Sequence, residues 1–150
     1  MKSIASALEN IINKHLPVLL VIAENDFSFK PFADKWSKKE IMGHLIDSAQ
    51  NNIRRFLVAQ YEDEPTIIYL QDKWVSASAY QQWNTDNIIN LWYLLNMQIC
   101  MILKNTPHKM YDRQCMTTEL HSIEWYAEDY LKHLLHHLHV VLDLEPVAYP

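Results

Sequence analysis

The chain has 150 residues, of which 49% are apolar and 11% aromatic, and this composition supplies the core of one domain. Its only glycine is Gly43, which argues against the glycine-rich phosphate loops of P-loop and Rossmann folds and against a β-barrel with tight turns. The formal net charge is −5 and the 13 basic residues are scattered, so the sequence predicts no nucleic-acid partner.

The expected compartment follows from the leader pattern, the hydropathy and the cysteine count. The first residues have no signal-peptide pattern, and the longest apolar stretch, within residues 16–23, is far too short to span a bilayer. Two cysteines, Cys100 and Cys115, do not make a disulfide framework and fit a reducing compartment. We therefore expect a cytoplasmic protein without a membrane partner.

The first predicted helix covers residues 3–24. Pro17 lies within it, and because proline lacks the backbone N–H that an inner helical turn needs, this residue must kink the helix or begin a new turn. Residues 25–35, which include Pro31, are predicted to form a loop.

The second helix has the clearest start signal. Ser37 and Glu40 are spaced as a capping box, in which each side chain accepts a hydrogen bond from a free backbone N–H. Apolar residues then recur with the period of a buried helical stripe, and the helix is predicted to end near Tyr61. The stripe consists of Ile41, Leu45, Ala49, Ile53 and Phe56.

The second and third helices are joined by a long crossover, residues 66–83, which is predicted to contain a short helix near residues 74–81. The third helix begins at cap candidates in Asn84-Thr85-Asp86 and runs to about Lys104, before Pro107.

The fourth helix begins at Ser122 and ends before Pro146. Four helices with one long connection predict an all-α fold, an antiparallel four-helix bundle that spans residues 1–150 as a single domain.

Four of the eight histidines lie in the fourth helix. At about 100° per residue, His133 and His137 lie on the side of the inward apolar stripe, whereas His136 and His139 turn toward the expected solvent face. An i, i+4 pair is the arrangement by which one helix gives two imidazoles to one ion. Two hydrogen-bonded core histidines are the alternative. Asp129, four residues before His133, is a weaker candidate for orienting a ligand.

A polar line on the second helix strengthens the metal interpretation. His44, Ser48, Asn51 and Arg55 follow one another at helical spacing beside the apolar stripe. Burying polar groups is costly unless they are satisfied, and a metal ion with its water shell would satisfy them. Asp47, one turn after His44, can orient that imidazole or add an oxygen ligand. Arg55 can hold an anionic substrate or pair with a local acid.

The run from Trp36 to Ser48, with the pattern Trp-Ser…His-Leu-x-Asp-Ser, closely resembles the second-helix signature of the DinB-like metalloprotein family. More narrowly, it resembles the YfiT-like branch, which is associated with metal-dependent hydrolysis and bacillithiol transfer. The likeness extends over nearly the whole chain. It implies that one histidine from the second helix and two from the fourth bind a divalent ion, nickel or zinc. The matching positions are His44, His133 and His137.

The crossover adds candidates for the substrate side of the pocket. Tyr69 and Trp74 are expected to line the pocket mouth, because a crossover passes over an open end of a bundle. Many relatives carry an acidic residue just after this tyrosine, where this chain has Leu70, and Asp72 can take its place. Related proteins are often dimers, so the resemblance also implies a homodimer.

Three neutral imidazoles leave at least one coordination position open, which is typical of a catalytic metal site. The resemblance implies two reactions there. The first is transfer of a low-molecular-weight thiol co-substrate, such as bacillithiol, to a small electrophile, and the second is metal-dependent hydrolysis of a small ester or amide. We favour the thiol transferase because the characterised branches of the family favour thiol cofactors. A third hypothesis is a non-catalytic metal-binding stress-response protein.

Overall fold

The computed structural model describes residues 1–149 and is mainly helical, as predicted. Four long helices form a bundle, and two shorter helices lie in the connections. No helix in this described part is both long and apolar enough to cross a membrane. In chain order the elements are α1 (Lys2–Leu19), α2 (Glu24–Ser28), α3 (Lys38–Val58), α4 (Gln71–Ser78), a 3-10 turn (Tyr80–Gln82), α5 (Thr85–Asn105), a 3-10 turn (His108–Met110), β1 (Gln114–Met116), β2 (Leu120–Ser122) and α6 (Ile123–Val141).

The hydrophobic core lies between α1, α3, α5 and α6. Both α5 and α6 pack against α3 and against α1. Each long helix contributes fully buried apolar side chains at helical spacing, and each buried leucine or isoleucine stabilises the fold by roughly 1.5–3 kcal/mol. The bundle therefore has a core of its own, separate from the histidines. Its members include Leu8 and Ile12 on α1, Leu45 and Ala49 on α3, Trp92 and Ile99 on α5, and Leu134 and Leu138 on α6.

The long helices begin at the predicted caps. Ser37 Oγ accepts a hydrogen bond from the Glu40 backbone N–H (3.1 Å), and Glu40 Oε2 accepts one from the Ser37 N–H (2.8 Å), so the capping box is confirmed. Asn84 and Ser122 each accept a hydrogen bond from the amide three residues on, at 3.1 Å. Caps of this kind stabilise a helix by about 1 kcal/mol each.

Two predicted boundaries near the N-terminus are wrong. α1 ends at Leu19 rather than at residue 24. Pro17 does not end it, since the Leu20 N–H still donates to the Leu16 carbonyl (3.1 Å), and the helix gives way to a turn where Val21 and Ile22 donate three residues back instead of four. The predicted loop at residues 25–35 overlaps the short helix α2, whose Phe27 is fully buried against the core. Burial of that one aromatic ring holds a turn of helix that the local sequence does not specify.

The connections also differ in detail from prediction. α3 ends at Val58, three residues before Tyr61, and α4 begins at Gln71 rather than near residue 74. The antiparallel hairpin β1–β2 is not predicted, because strands of three residues are too short to show an alternating pattern. The Met116 N–H in β1 donates to the carbonyl of Pro65, just before the crossover, and the Ile67 N–H donates back to the Met116 carbonyl, each at 2.9 Å. These two bonds anchor the start of the crossover.

Gly43 lets the end of the crossover approach α3 closely. A Cβ at this position would lie 2.1 Å from a ring carbon of Tyr80, so a larger residue does not fit without a shift. From there the Tyr80 hydroxyl donates a hydrogen bond to Asp47 Oδ1 (2.5 Å). The only glycine of the chain therefore sets how the 3-10 turn at Tyr80–Gln82 packs on the helix that carries His44.

Candidate metal centre

Three imidazoles meet at the edge of the core. His44 lies on α3, and His133 and His137 lie one turn apart on α6, which packs against α3. His44 Nε2 is 3.0 Å from His133 Nε2, and the ring centroids of His44 and His137 are 4.9 Å apart. One nitrogen from each ring can be chosen so that all three lie within 4.8 Å of one another. The structure brings together the three histidines that helical spacing and the resemblance selected.

Burial keeps these rings neutral. It lowers the pKa of His44 and of His137 to about 4, and it lowers the pKa of His133 to about 2 together with the neighbouring imidazoles. At neutral pH each ring presents an unprotonated nitrogen, which is the form that binds metal. Three imidazoles without a thiolate or carboxylate among them suit zinc or nickel. The residues present therefore fit a divalent ion.

Besides His44, one residue of the polar line on α3 contacts the histidine cluster. Ser48 Oγ lies 3.4 Å from His133 Nδ1, where it can accept a weak hydrogen bond and leave the other ring nitrogen to face His44. Asn51 is fully buried, but its amide donates to the backbone carbonyl of Asp47 (2.9 Å) within its own helix. Ser48 therefore contacts the cluster, and no hydrogen bond joins Asn51 to it.

Asp47 is a buried carboxylate, with 1% of its surface exposed. Burial raises the pKa of this carboxyl to about 6, although the hydrogen bond from Tyr80 opposes the shift. Within residues 1–149, Asp47 Oδ2 and His44 Nδ1 both lack a hydrogen-bond partner. Asp47 is thus no solvated surface acid, and its predicted role in orienting His44 stays a prediction.

Replacing Asp47 with asparagine in the metal-free protein is expected to raise the free energy of unfolding at about pH 7 by about 1–2 kcal/mol. The folded-state pKa of about 6 exceeds the unfolded value of 3.8, so the carboxyl's contribution to stability is complete below about pH 4 and is lost as the pH rises through about 6. Asparagine does not ionise and still offers Tyr80 an acceptor. Urea unfolding of both proteins at about pH 4 and about pH 7 measures the difference in the free energy of unfolding. An equal gain in stability at the two pH values would contradict the prediction.

The same substitution tests whether Asp47 assists the ligand histidine. If its carboxylate orients His44 when an ion is bound, Asp47→Asn should weaken metal affinity by about tenfold, since partners of ligand histidines contribute roughly 10–100-fold. Competitive titration against a chelator measures the affinity, with circular dichroism as the control for folding. An unchanged affinity would restrict the site to the three histidines.

A polar cavity of about 390 Å³ opens beside the histidines. Arg55 lines it and is held in place by Ile67, whose carbonyl accepts from Nη2 (3.2 Å) and Nε (3.4 Å), and by Asn52 Oδ1 (3.3 Å). Its guanidinium also lies 5.3 Å from the centre of the Tyr126 ring. The cavity therefore presents one fixed positive charge next to His133 and His137.

The three crossover candidates take different positions. Tyr69 lines the polar cavity, as expected of a residue at the pocket mouth. Trp74 does not line that cavity but packs edge-on against Tyr69, with ring centroids 5.5 Å apart. Asp72 lines a separate hollow that also includes His137. Only Tyr69 of the three therefore faces the polar cavity.

The segment after α6 supplies one site residue that the sequence did not indicate, Tyr149, which contacts the predicted candidate Asp129. The Tyr149 hydroxyl lies 3.0 Å from both carboxylate oxygens of Asp129, and the Tyr149 ring is 5.2 Å from the His133 ring. Tyr149 and Asp129 both line the polar cavity. No spacing pattern connects a residue beyond the last helix with one inside it, so only the fold reveals this pair.

The same segment corrects the predicted positions of two histidines. His136 donates from Nδ1 to the carbonyl of Val147, and His139 donates from Nδ1 to the carbonyl of Glu145, each at 2.6 Å. Both rings are half-buried beneath the segment rather than on a free solvent face. Neither belongs to the three-histidine cluster, as the helical spacing predicted.

Solved structures share this fold. YfiT from Bacillus subtilis, described as a probable metal-dependent hydrolase with an unusual four-helix bundle topology, matches with a TM-score of 0.83 and 19% identity over 94% of this chain and 83% of its own. The mycothiol-dependent maleylpyruvate isomerase matches with a TM-score of 0.71 and 13% identity. A variant of that isomerase matches with a TM-score of 0.76 and 12% identity. The chain covers 61% of the length of either isomerase structure, with 97% of its own residues.

No protein-family model matches the chain, and no curated protein matches it by sequence. The structural likeness confirms the predicted class, a YfiT-like four-helix bundle. In this chain, the bundle carries a three-histidine cluster on α3 and α6.

Proposed function

We propose that this chain is a metal-dependent transferase that joins a low-molecular-weight thiol, such as bacillithiol, to a small electrophile. The observation that carries the proposal is the meeting of three neutral imidazoles, two of which line a polar cavity that Arg55 also lines. His44, His133 and His137 would hold the ion, nickel or zinc. Three protein nitrogens leave a coordination position open to a ligand that enters from the cavity.

The polar cavity offers Arg55 to a thiol that carries negative charge, although the Asp129 carboxylate, which the Tyr149 hydroxyl contacts, lines the cavity as well. Low-molecular-weight thiols of the bacillithiol type carry carboxylates, and a guanidinium pairs with a carboxylate through two parallel hydrogen bonds. Because Arg55 is already held by Ile67 and Asn52, less side-chain freedom is lost when it binds an anion. Arg55 would therefore orient the carboxylate end of the thiol and leave the sulfur directed toward the histidines.

The proposed reaction balances without an oxidant or reductant. When bound, the divalent ion would lower the pKa of a coordinated thiol and keep it as the more nucleophilic thiolate. With a chlorinated electrophile, the sulfur forms a bond to carbon as the carbon–chlorine bond breaks. Chloride leaves with the bonding electron pair and the thiol proton passes to solvent, so the products are a thioether, chloride and a proton.

The protein's own cysteines do not supply the attacking thiol. Cys100 and Cys115 are both free and fully buried, and burial raises the pKa of each thiol. The proposed reaction therefore uses an exogenous thiol. The two free thiols also support our proposal of a reducing, cytoplasmic location. The homodimer and the absence of nucleic-acid and membrane partners stay predictions.

Hydrolysis of a small ester or amide is the second candidate. Its support is the likeness to YfiT, described as a probable metal-dependent hydrolase, and the carboxylate of Asp129 in the polar cavity, which can accept a proton from an attacking water. The thiol dependence of the structurally similar isomerase supports the first candidate instead. In this structure both oxygens of the Asp129 carboxylate already lie 3.0 Å from the Tyr149 hydroxyl, so an attacking water would have to compete with that hydroxyl for them.

Assays on the purified, metal-loaded protein separate the hypotheses. We expect it to accelerate conjugation of bacillithiol with monochlorobimane and to lose this activity in His137→Ala. Release of product from a nitrophenyl ester without thiol would favour the hydrolase. Neither activity in a preparation whose metal content is verified would favour the non-catalytic metal-binding protein and overturn the proposal.

Removing the metal with a chelator is expected to leave the helical content unchanged at room temperature and to lower the melting temperature by about 5–10 °C. The bundle buries a core that does not include the histidines, so its folding does not depend on the ion as that of a zinc finger does. Far-UV circular dichroism with and without chelator measures both quantities. Complete unfolding on chelation would identify a structural ion and remove the main support for an open site.

A further inference from the structure

A second hollow lies on the other side of His137. It has a volume of about 570 Å³ and is formed by the segment before α3, by α3 itself, by the start of α4 and by α6. We call it the apolar groove. Its apolar lining residues are Pro31, Phe32, Trp36, Ile41 and Val140.

The apolar groove and the polar cavity meet at the candidate metal centre. His137 and Gln71 line both hollows. The Trp36 ring, which forms part of the groove wall, has its centroid 5.2 Å from that of the His44 ring. His137 thus lines the apolar groove and His44 lies against its Trp36 wall, so a molecule bound there would lie beside the same ion as a molecule in the polar cavity.

The groove leaves apolar side chains open to water. Phe32 is 70% exposed and Val140 is 46% exposed. An adjoining hollow of about 320 Å³ shares Pro31, Trp36 and Val140 with the groove and extends its apolar surface. Contiguous apolar surface of this kind usually marks a binding site, and the volume lies within the roughly 300–1,000 Å³ typical of small-ligand pockets.

We propose that the apolar groove binds the aromatic body of the electrophile while the polar cavity holds the thiol. This inference rests on the proposed function. A reaction that joins two molecules needs two sites that meet at the reacting atoms, whereas hydrolysis needs one substrate site and water. The linings of the two hollows match the two substrates. Arg55 in the polar cavity suits the charged thiol, and Phe32 and Trp36 in the apolar groove suit an aromatic ring. The enzyme therefore selects aromatic electrophiles over small polar ones.

The direct test is a binding measurement that does not depend on turnover. The probe is 1,3-dinitrobenzene, an aromatic compound without a leaving group, and equilibrium dialysis against the metal-loaded protein gives its dissociation constant. Phe32→Ser is expected to weaken binding by about tenfold, because an aromatic contact is lost from the groove wall. Phe32 is largely exposed, so the substitution leaves the core unchanged. Tyr61→Ser is the matched control, since Tyr61 is 71% exposed and does not line the groove.

Fluorescence gives the position of the probe. Nitroaromatic compounds quench nearby tryptophan, so the bound probe should quench the emission of Trp36. In Trp36→Phe the quenching should fall while dialysis still detects binding. Quenching that is the same in Trp36→Phe would place the probe elsewhere and overturn the proposal.

Selectivity in turnover gives the second measurement. With bacillithiol as co-substrate, kcat/KM for 1-chloro-2,4-dinitrobenzene divided by that for iodoacetamide should fall about tenfold in Phe32→Ser and stay constant in Tyr61→Ser.

If no thiol is conjugated but the probe still binds as described, the proposed function fails and the groove remains a ligand site. If thiol is conjugated and Phe32→Ser changes neither quantity, the groove assignment fails alone. A dimer that Phe32→Ser dissociates, with probe binding unchanged, would identify the groove as an interface between copies and overturn the proposal.

Discussion

Replacing His133 with alanine is expected to remove the divalent ion from the purified protein, which should otherwise hold about one ion per chain. His133 contacts both other rings of the cluster, with ring centroids 5.0 Å from His44 and 4.6 Å from His137. Two remaining imidazoles hold an ion far less tightly than three. The loss of affinity should exceed the roughly 100-fold that removal of an outer partner costs, and alanine at His44 or His137 should have the same effect.

Element-specific metal analysis measures the metal content of the purified variants, and competitive titration against a chelator measures their metal affinity. His136→Ala and His139→Ala are matched controls, because both lie on α6 and bind carbonyls of the C-terminal segment rather than the cluster. Their metal content should equal that of the unmodified protein. Full occupancy in His133→Ala would exclude the cluster as the metal site. Loss of metal in His136→Ala with retention in His137→Ala would do the same.

The four long helices could be predicted from sequence because each is specified locally. The capping box at Ser37 and Glu40 lies within one turn of chain, and the buried stripe that follows repeats at helical spacing. The hairpin β1–β2 and the short helix α2 could not be predicted in the same way. They depend on distant contacts, such as the backbone hydrogen bonds of Met116 with Ile67 and the burial of Phe27.

The residues of the candidate site also fall into two groups, those that helical spacing predicts and those that depend on distant contacts. His44, His133 and His137 could be selected because each lies beside an apolar stripe whose burial turns it inward. The partner of Asp47 is Tyr80, which lies 33 residues further along the chain, and the partner of Asp129 is Tyr149. These pairs depend on how the crossover and the C-terminal segment pack over the bundle, and helical spacing carries no information about either.

Gly43→Ala is expected to lower the free energy of unfolding by about 3 kcal/mol, although helix propensity alone predicts a gain of about 1 kcal/mol. The added Cβ would lie 2.1, 2.3 and 2.6 Å from three ring carbons of Tyr80. The ring cannot move away without weakening its hydrogen bond to the buried carboxylate of Asp47. Leaving that carboxylate unpaired costs about 1–3 kcal/mol, so the steric and polar penalties outweigh the propensity gain. Urea unfolding of the metal-free protein measures the change.

A second background separates this clash from any other effect of the substitution. In Tyr80→Ala the ring is absent, and Gly43→Ala should there be neutral or stabilising by up to about 1 kcal/mol, as expected for alanine inside a helix. The two substitutions are therefore expected to show a coupling energy of about 3 kcal/mol in a double-mutant cycle, which is large because the two residues are in direct contact. The same loss in both backgrounds would show that Gly43 is required by α3 itself and not by Tyr80. A gain in the Tyr80→Ala background alone would show that the close approach of the crossover, and not helix propensity, requires glycine at this position.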